Sequence, residues 1–537
     1  MTRDAADVLI VGAGASGGVV ARHLAEAGYS VVCLEQGRWH DRSEYPGPRV
    51  EWELAAMRRW SANPNVRQLP EDYPINAEDS DIVPLMYNAV GGGMILYAGD
   101  WPRLLPSDFR VRTLDGVADD WPITYRELQP YYEQNDRAMG VSGLGGDPAY
   151  PEGGEPPLPP LPIGEGAMAV ARGLTRLNWH WWPAPNAILS APFEGRRPCA
   201  QWGSCMQGCP EGAKASTDLT HWPAAQAKGA QLIAGARVTR IVTGPGGLAT
   251  GAEYVDQEGR QHFQGGDVVV IACNAIGTAR LLLLSATDRF RDGLANSSGL
   301  VGRRLMMHPF AVVTGIFEKR FPTWKGHVGA RIHSLQFYET DERRGFVRGA
   351  KWSMAPSTGG PLNAAMPARA GEAAWGPEHH RRVRERFGHA LSFGIFGEDL
   401  PDVENRVVLD PELRDGSGLS APKILYRIDD NARKLIDFQV ERATEAMSEA
   451  GAKSVDSLKI MREAGWHVLG TARMGDDPEA SVVDRWGRSH DVPNLFIVDG
   501  SVFVTSGGVN PTSTITALAL RAAEHMVMSR ADQRVPA

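Results

Sequence analysis

Val8-Leu-Ile-Val11, running straight into Gly12-Ala-Gly14-Ala-Ser-Gly17, is the stretch that decides the fold. Four consecutive apolar residues, three of them β-branched, read as a strand buried on both faces, the signature of a parallel sheet. The glycines that follow have the spacing G-x-G-x-x-G. The first permits a tight turn, the second lets backbone approach a pyrophosphate, and the third lets the helix expected over Gly18 to Ala27 pack on the strand. The start of that helix then faces the phosphates with unpaired N–H groups, which Ala15 and Ser16 help to supply. A second strand, Ser30 to Leu34, ends in Glu35 and Gln36. A carboxylate about twenty residues past the motif accepts hydrogen bonds from ribose hydroxyls and disfavours a 2′-phosphate. Strand, glycines, helix, strand and acid together indicate a dinucleotide-binding α/β domain. They leave open whether the ligand is NAD or FAD, and a purely structural turn is the bland alternative.

Outward from this motif, 537 residues exceed what one hydrophobic core organises, so two domains are expected. A composition of 43% hydrophobic and 22% charged residues is that of a globular chain. No apolar run approaches the roughly 18 residues that span a bilayer. Met1 to Ala6 is short and polar, unlike a signal peptide, and a cytoplasmic location is the expectation. A formal charge of −8 with no basic run argues against nucleic acid as a partner. Of five cysteines, Cys33 and Cys273 lie inside apolar runs and read as packed thiols. Cys199, Cys205 and Cys209 form the remaining cluster.

Val90-Gly-Gly-Gly-Met94 and the following Ile95 to Arg103 form a glycine run that can let backbone lie against a flat ring, or an ordinary loop. Gly146 to Gly164, with Glu155-Pro-Pro-Leu-Pro-Pro-Leu-Pro162, is expected to be an extended surface connection. Arg237 to Val242 and His262 to Ile271 look like a hairpin returning to the nucleotide sheet. Val268 to Cys273 then enters Asn274-Ala-Ile-Gly277 and an apolar helix to Ser285. Phe310 to Ile460, with alternating segments such as Ala390 to Phe396 and Arg406 to Leu409, is the candidate substrate domain.

Near the C-terminus, Trp466-His467-Val-Leu-Gly-Thr-Ala-Arg-Met-Gly475 precedes a buried strand ending at Asp499-Gly500. Ser506-Gly-Gly-Val-Asn510-Pro511-Thr512 then opens an apolar helix to Met526, with Asn510 suited to cap it and Pro511 to be its first residue. Alcohol oxidation by hydride transfer needs a base, a hydrogen-bond partner for the hydroxyl and an electron sink. His467 and Asn510 offer the first two, and the helix start can neutralise negative charge on a reduced flavin. From chemistry alone, His467 can equally be one of 14 histidines with a structural role.

These motifs, in this order and with Ser298-Gly-Leu-Val-Gly302 through His308-Pro309, resemble the glucose-methanol-choline (GMC) oxidoreductases from end to end. The resemblance implies an α/β fold in which a Rossmann-like FAD-binding domain is interleaved with an α+β substrate domain built on an antiparallel sheet. Residues 1–40, 85–110, 195–310 and 463–537 would form the first, and 41–84, 111–194 and 311–462 the second. It implies FAD held by Gly12, Gly14, Ala15, Ser16, Gly17, Glu35 and Gln36, with Val238 on the adenine side and Gly93, Met94, Asp499, Gly500, Asn510, Pro511 and Thr512 bordering the flavin. His467 and Asn510 would be catalytic, in the asparagine branch shared with choline, cholesterol and pyranose oxidases. Met94-Ile-Leu-Tyr97 lacks the histidine that carries covalent flavin in some members, so non-covalent FAD is implied.

Asp119-Asp-Trp-Pro-Ile-Thr124 and Pro130-Tyr-Tyr132 are most similar to bacterial sugar-oxidising members, namely glucose and gluconate dehydrogenase large subunits and glycoside 3-oxidases. The expected reaction is oxidation of a CH–OH group on a sugar, glycoside or polyol, with hydride passing to the flavin and the proton to His467. Oxygen, a quinone or a partner subunit would reoxidise the cofactor. Cys199-x5-Cys205-x3-Cys209 is spaced like the ligands of a [3Fe-4S] cluster in the glucose dehydrogenase subunit, but Met206-Gln-Gly and Pro210-Glu-Gly-Ala-Lys214 also resemble cluster-free relatives. Rival readings are a redox-silent FAD lyase of the same fold, oxidation of a non-sugar alcohol, and a NAD-dependent dehydrogenase.

Overall fold

A computed structural model describes residues 5–47, 49, 52–355, 361–365 and 375–534. The first four and last three residues of the outer segments expected to bind FAD lie outside the described residues, as do parts of segments 41–84 and 311–462.

The glycine-flanked strand is Ala5–Val11, and it lies within a seven-stranded sheet. Val31–Glu35 and Gln261–Ile271 flank it in parallel, Gln231–Ala234 extends the first side, and Leu495–Ile497 pairs in parallel with Gln261–Ile271. Alternation along these strands divides the core in two. Val8, Ile10, Cys33 and Val270 pack on one face against Val19, Val20 and Leu24 of the helix Ala15–Glu26 and Ala519, Ala523 and Met526 of the C-terminal helix. Leu9, Val11, Leu34, Val269 and Ile271 pack on the other with Leu281 and Leu282 of the helix Asn274–Leu284. Both faces are covered, which is why the strands read as unbroken apolar runs.

The expected hairpin is instead a meander of three strands, because Ala249–Val255 stands between Arg237–Thr243 and Gln261–Ile271. This strand carried no β-branched signal at its centre because there is no room for one. A Cβ on Gly251 would meet the Gln264 carbonyl oxygen at 2.1 Å.

A second, antiparallel sheet of six strands runs in the order Ser454–Leu458, Phe310–Ile316, Ala390–Gly397, Ala350–Ala355, Ile332–Ser334, Trp182–Pro183. Its period-2 alternation sends Ala311, Val313, Trp352, Met354, Phe393 and Ile395 into a core with the helices Gly164–Arg176 and Asp430–Glu449. Phe310, Ser353, Gly394 and Phe396 are left on the opposite face, where they line a cavity shared with the first sheet. The alternating segment at Arg406 does not join this sheet. It forms a separate hairpin, Arg406–Arg414 with Ser420–Leu425, whose Val407 and Ile424 pack on Ala275, Ile276 and Ala279 beside the nucleotide sheet. Between Gly146 and Ile163 the chain has no helix or strand, and buried Leu158 and Leu161 anchor it. No helix among the described residues is long and apolar enough to cross a membrane.

Candidate active site

At the end of the first strand the chain turns at Gly12, whose φ of +100° is in the region that favours glycine. A Cβ there would meet the Ala272 carbonyl oxygen at 2.4 Å, and one on Gly17 would lie 1.9 Å from the Gly12 carbonyl oxygen. The helix Ala15–Glu26 begins at Gly14 with no side-chain cap and no acid in its first turn. Its N–H groups therefore open on the cavity, which Gly14, Ala15 and Ser16 line. Across from them, Gly92 approaches so closely that its Cβ would stand 2.9 Å from the Gly14 Cα, while a Cβ on Gly93 would meet no protein atom within 4 Å. Bare backbone on two sides of open space fits a pyrophosphate and a flat ring.

Glu35, buried at the end of its strand, accepts from the Ala13 and Gly37 N–H groups, both at 2.8 Å. Each carboxylate oxygen keeps acceptor capacity for ribose hydroxyls. Burial raises its pKa, against those backbone bonds. One cavity of about 430 Å³ is lined by Gly12, Gly14, Ala15, Ser16, Glu35, Gln36, Gly93, Met94, Val238, Asp499, Gly500, Asn510, Pro511, Thr512 and His467. Gly17 stands behind it and acts by allowing the turn to close. Asp499 accepts from Ser501 N at 2.9 Å and Thr278 Oγ1 at 2.6 Å, which fixes the turn after its strand.

At the far end of the cavity, His467 Nδ1 lies 2.9 Å from His308 Nδ1, and its Nε2 lies 3.3 Å from Asn510 Nδ2. His308 is buried behind His467, away from the cavity, with its Nε2 at 3.4 Å from the Ser506 carbonyl oxygen. Asn510 Oδ1 accepts from Lys351 Nζ at 2.6 Å. The two ends of this chain fix the direction of every bond. A carbonyl only accepts, so His308 Nε2 carries hydrogen and its Nδ1 accepts from His467 Nδ1–H. That leaves His467 Nε2 without a proton, receiving the Asn510 amide N–H. An ammonium only donates, so Asn510 must turn its oxygen to Lys351, which agrees.

Burial, with His308 and the Lys351 charge beside it, holds His467 well below the ordinary histidine range, and burial holds His308 down at about 4. His467 is thus neutral, with Nε2 as its acceptor nitrogen beside Asn510 on the cavity. Asn510 does not cap the C-terminal helix as expected. The helix starts at Thr512, and Lys351 and His467 take both ends of the amide.

Two buried lysines in this region had no site role legible in the sequence. Lys351 is one. Lys214 is the other: its Nζ donates to the carbonyls of Met94, Ile95 and Tyr97 at 2.8, 2.9 and 3.0 Å, holding the turn after the glycine run, and burial lowers it to about 8.

The three clustered cysteines find no support as an iron–sulfur centre. Cys199, Cys205 and Cys209 Sγ accept separate backbone N–H groups from Gln201, Val328 and Lys214. Burial pushes the Cys205 thiol up to about 12 and raises that of Cys199. Among the described residues no group of three or more His, Cys, Asp or Glu is placed to hold a metal ion. The three thiols organise a loop.

Neutral buried histidines have a consequence for stability. His40 and His308 are held at about 4, and His221 and His327 at about 3, against 6.5 in an open chain. Below pH 6.5 the unfolded chain takes up protons that the folded chain refuses. Each group then removes about 1.4 kcal/mol of stability per pH unit until its folded pKa is reached. The melting temperature is expected to fall steeply between pH 6.5 and 4.5, and a flat profile would refute neutral burial.

Residues 187–310 and 401–519 each match a family model described as GMC oxidoreductase, and residues 10–73 match one described as NAD(P)-binding Rossmann-like domain. A 2-methyl-1,2-propanediol dehydrogenase from Mycolicibacterium austroafricanum is 44% identical, with 97% of this chain and 95% of the relative covered. A fructose dehydrogenase large subunit from Gluconobacter japonicus is 31% identical, with 97% of each covered. Pyridoxine 4-oxidase from Mesorbium loti has the same fold at 20% identity, with a TM-score of 0.64 over 97% of this chain and 98% of that one.

Proposed function

The chain belongs to the GMC oxidoreductase family, and from that premise we propose that His467 is the base and Asn510 the hydroxyl partner of an alcohol oxidation beside non-covalently bound FAD. It is an oxidoreductase acting on CH–OH donors. The observation that carries the site assignment is the placement of His467 Nε2 and Asn510 Nδ2 side by side, 3.3 Å apart, on a cavity that is continuous with the glycine cradle. When bound, the flavin supplies the acceptor for the carbinol hydride. His467 Nε2 takes the hydroxyl proton, and Asn510 Nδ2 donates to the oxygen as it gains charge. His308 Nδ1 accepts from the opposite side of the ring and steadies the imidazolium that forms. Segments 1–40, 85–110, 195–310 and 463–537 hold the cofactor in this reading, and segment 311–462 shapes the substrate end through Ser353 and Phe396, with 41–84 and 111–194 packed around them.

The walls beside His467 favour a small alcohol or polyol with an apolar body. Phe396 lies 5.3 Å from the His467 ring, Phe310 packs on Phe396 at 4.8 Å, and Trp466 meets Phe310 edge-on at 5.3 Å. The 44% identical relative is named for a branched diol, which fits such a wall. Anaerobic absorbance spectra with 1,2-diols, simple alcohols and sugars test the reading. Bleaching of flavin peaks by the diols or alcohols is expected. Bleaching by sugars alone would overturn the substrate class, and flavin that no alcohol bleaches would overturn the redox reading.

A further inference from the structure

Lys351 lies on the middle of the antiparallel sheet, in the phase of alternation that faces the cavity, yet its side chain is completely buried. An unpaired ammonium in such a place is strongly destabilising, so each of its three N–H donors needs a partner. Asp100 Oδ2 takes one at 2.5 Å and Asn510 Oδ1 another at 2.6 Å, while the Phe396 ring lies 5.4 Å from the nitrogen and covers the remaining side. Asp100 Oδ2 is itself steadied by Ser353 Oγ at 3.1 Å, two residues along the strand from the lysine. Lys351 N donates to the Gly508 carbonyl at 3.1 Å, and Gly508 N donates to Tyr338 Oη at 2.7 Å. The segment that carries Asn510 is therefore tied to the strand that carries Lys351, and the distance between the two side chains is set by backbone.

We propose that Lys351, anchored by Asp100, is a positioning residue for the alcohol oxidation: it holds the Asn510 amide with its oxygen turned away, so that its N–H group addresses His467 Nε2 and the substrate oxygen. The proposal rests on the assignment of His467 and Asn510 above. An asparagine amide can rotate by half a turn at little steric cost, and the flipped amide would present a carbonyl oxygen to His467. That orientation would favour a proton on Nε2 and remove the base. With Lys351 in place the flip would set an amide N–H group against an ammonium, so one orientation is enforced. The positive charge also acts on the ring directly. The ionisable groups that face His467 are His308 and Lys351, with Asp100 beyond the lysine, and the lysine disfavours the imidazolium.

The alternative is an ion pair that only ties the two sheets together, and a paired substitution separates the two roles. K351M alone strands the Asp100 charge, whereas K351M combined with D100N replaces both charges, a change that is often close to neutral for stability. The double variant is expected to fold and retain FAD, to reduce its flavin about 10²-fold more slowly with a diol that bleaches the wild type, and to show its acid limb of kcat/KM displaced to higher pH. K351R, which retains charge and donors, is expected to recover most of the rate and leave the limb in place. The ¹⁵N resonances of His467, assigned by their loss in H467A, give a readout independent of turnover: a proton on Nδ1 alone in the wild type, and proton density on Nε2 in the double variant. Wild-type reduction rate, pH limb and tautomer in the folded double variant would reduce Lys351 to a structural tie and overturn the proposal. Absence of flavin reduction in the wild type with every alcohol would instead strike the assignment of His467 and Asn510, and the resonances would still report whether Lys351 sets the tautomer.

Discussion

Replacement of His467 by alanine is expected to slow flavin reduction by substrate at least about 10²-fold while the protein stays yellow. His467 and Asn510 are the cavity-lining members of the hydrogen-bonded chain from Lys351 to the Ser506 carbonyl, and His467 Nε2 is the acceptor nitrogen on that side. The cradle for the adenosine and pyrophosphate lies at the other end of the cavity, so cofactor binding should survive. Stopped-flow reduction under anaerobic conditions measures the loss, and an unchanged rate would end the role of base. H308A should reduce the rate less, because His308 reaches the substrate only through His467.

Gly17→Val is expected to yield protein without flavin and with a fold weakened by about 3 kcal/mol or more. The added Cβ would stand 1.9 Å from the Gly12 carbonyl oxygen and 3.4 Å from the Ala272 Cβ, inside the turn that joins the first strand to its helix. Two backbone segments would have to part for it to fit. Gly93→Ala is the instructive contrast. Its Cβ meets no protein atom within 4 Å, so the melting temperature of the apoprotein should hold while affinity for FAD falls. Thermal melts of apoprotein together with FAD titration measure both variants. Full flavin content in G17V, or unaltered FAD affinity in G93A, would contradict the cradle.

Resemblance of Asp119 to Thr124 and Pro130 to Tyr132 pointed to sugar-oxidising members, but these residues belong to the protein's framework. Trp121 Nε1 donates to Thr505 Oγ1 and Tyr132 pairs with Thr514, both buried. Neither stretch lines the cavity, so neither reports on substrate.

Short-range order in the sequence determined the nucleotide half of this protein. An apolar run, glycines at fixed offsets and an acid after the second strand depend on neighbours within about thirty residues, because turn sterics and a two-sided burial pattern are local properties. The same logic marked Ala390 to Phe396 as a strand. Where the signal was absent, tertiary crowding had removed it, as at Gly251, or long-range charge had overruled a local preference, as at Asn510, whose capping chemistry yielded to Lys351. The proton economy of the site was decided only by folding: His308 meets His467 and Lys351 meets Asn510 across 159 residues each, and Lys351 meets Asp100 across 251. Local periodicity carries no information about such pairs, because a buried charge declares its purpose only through the partners that the finished fold brings to it.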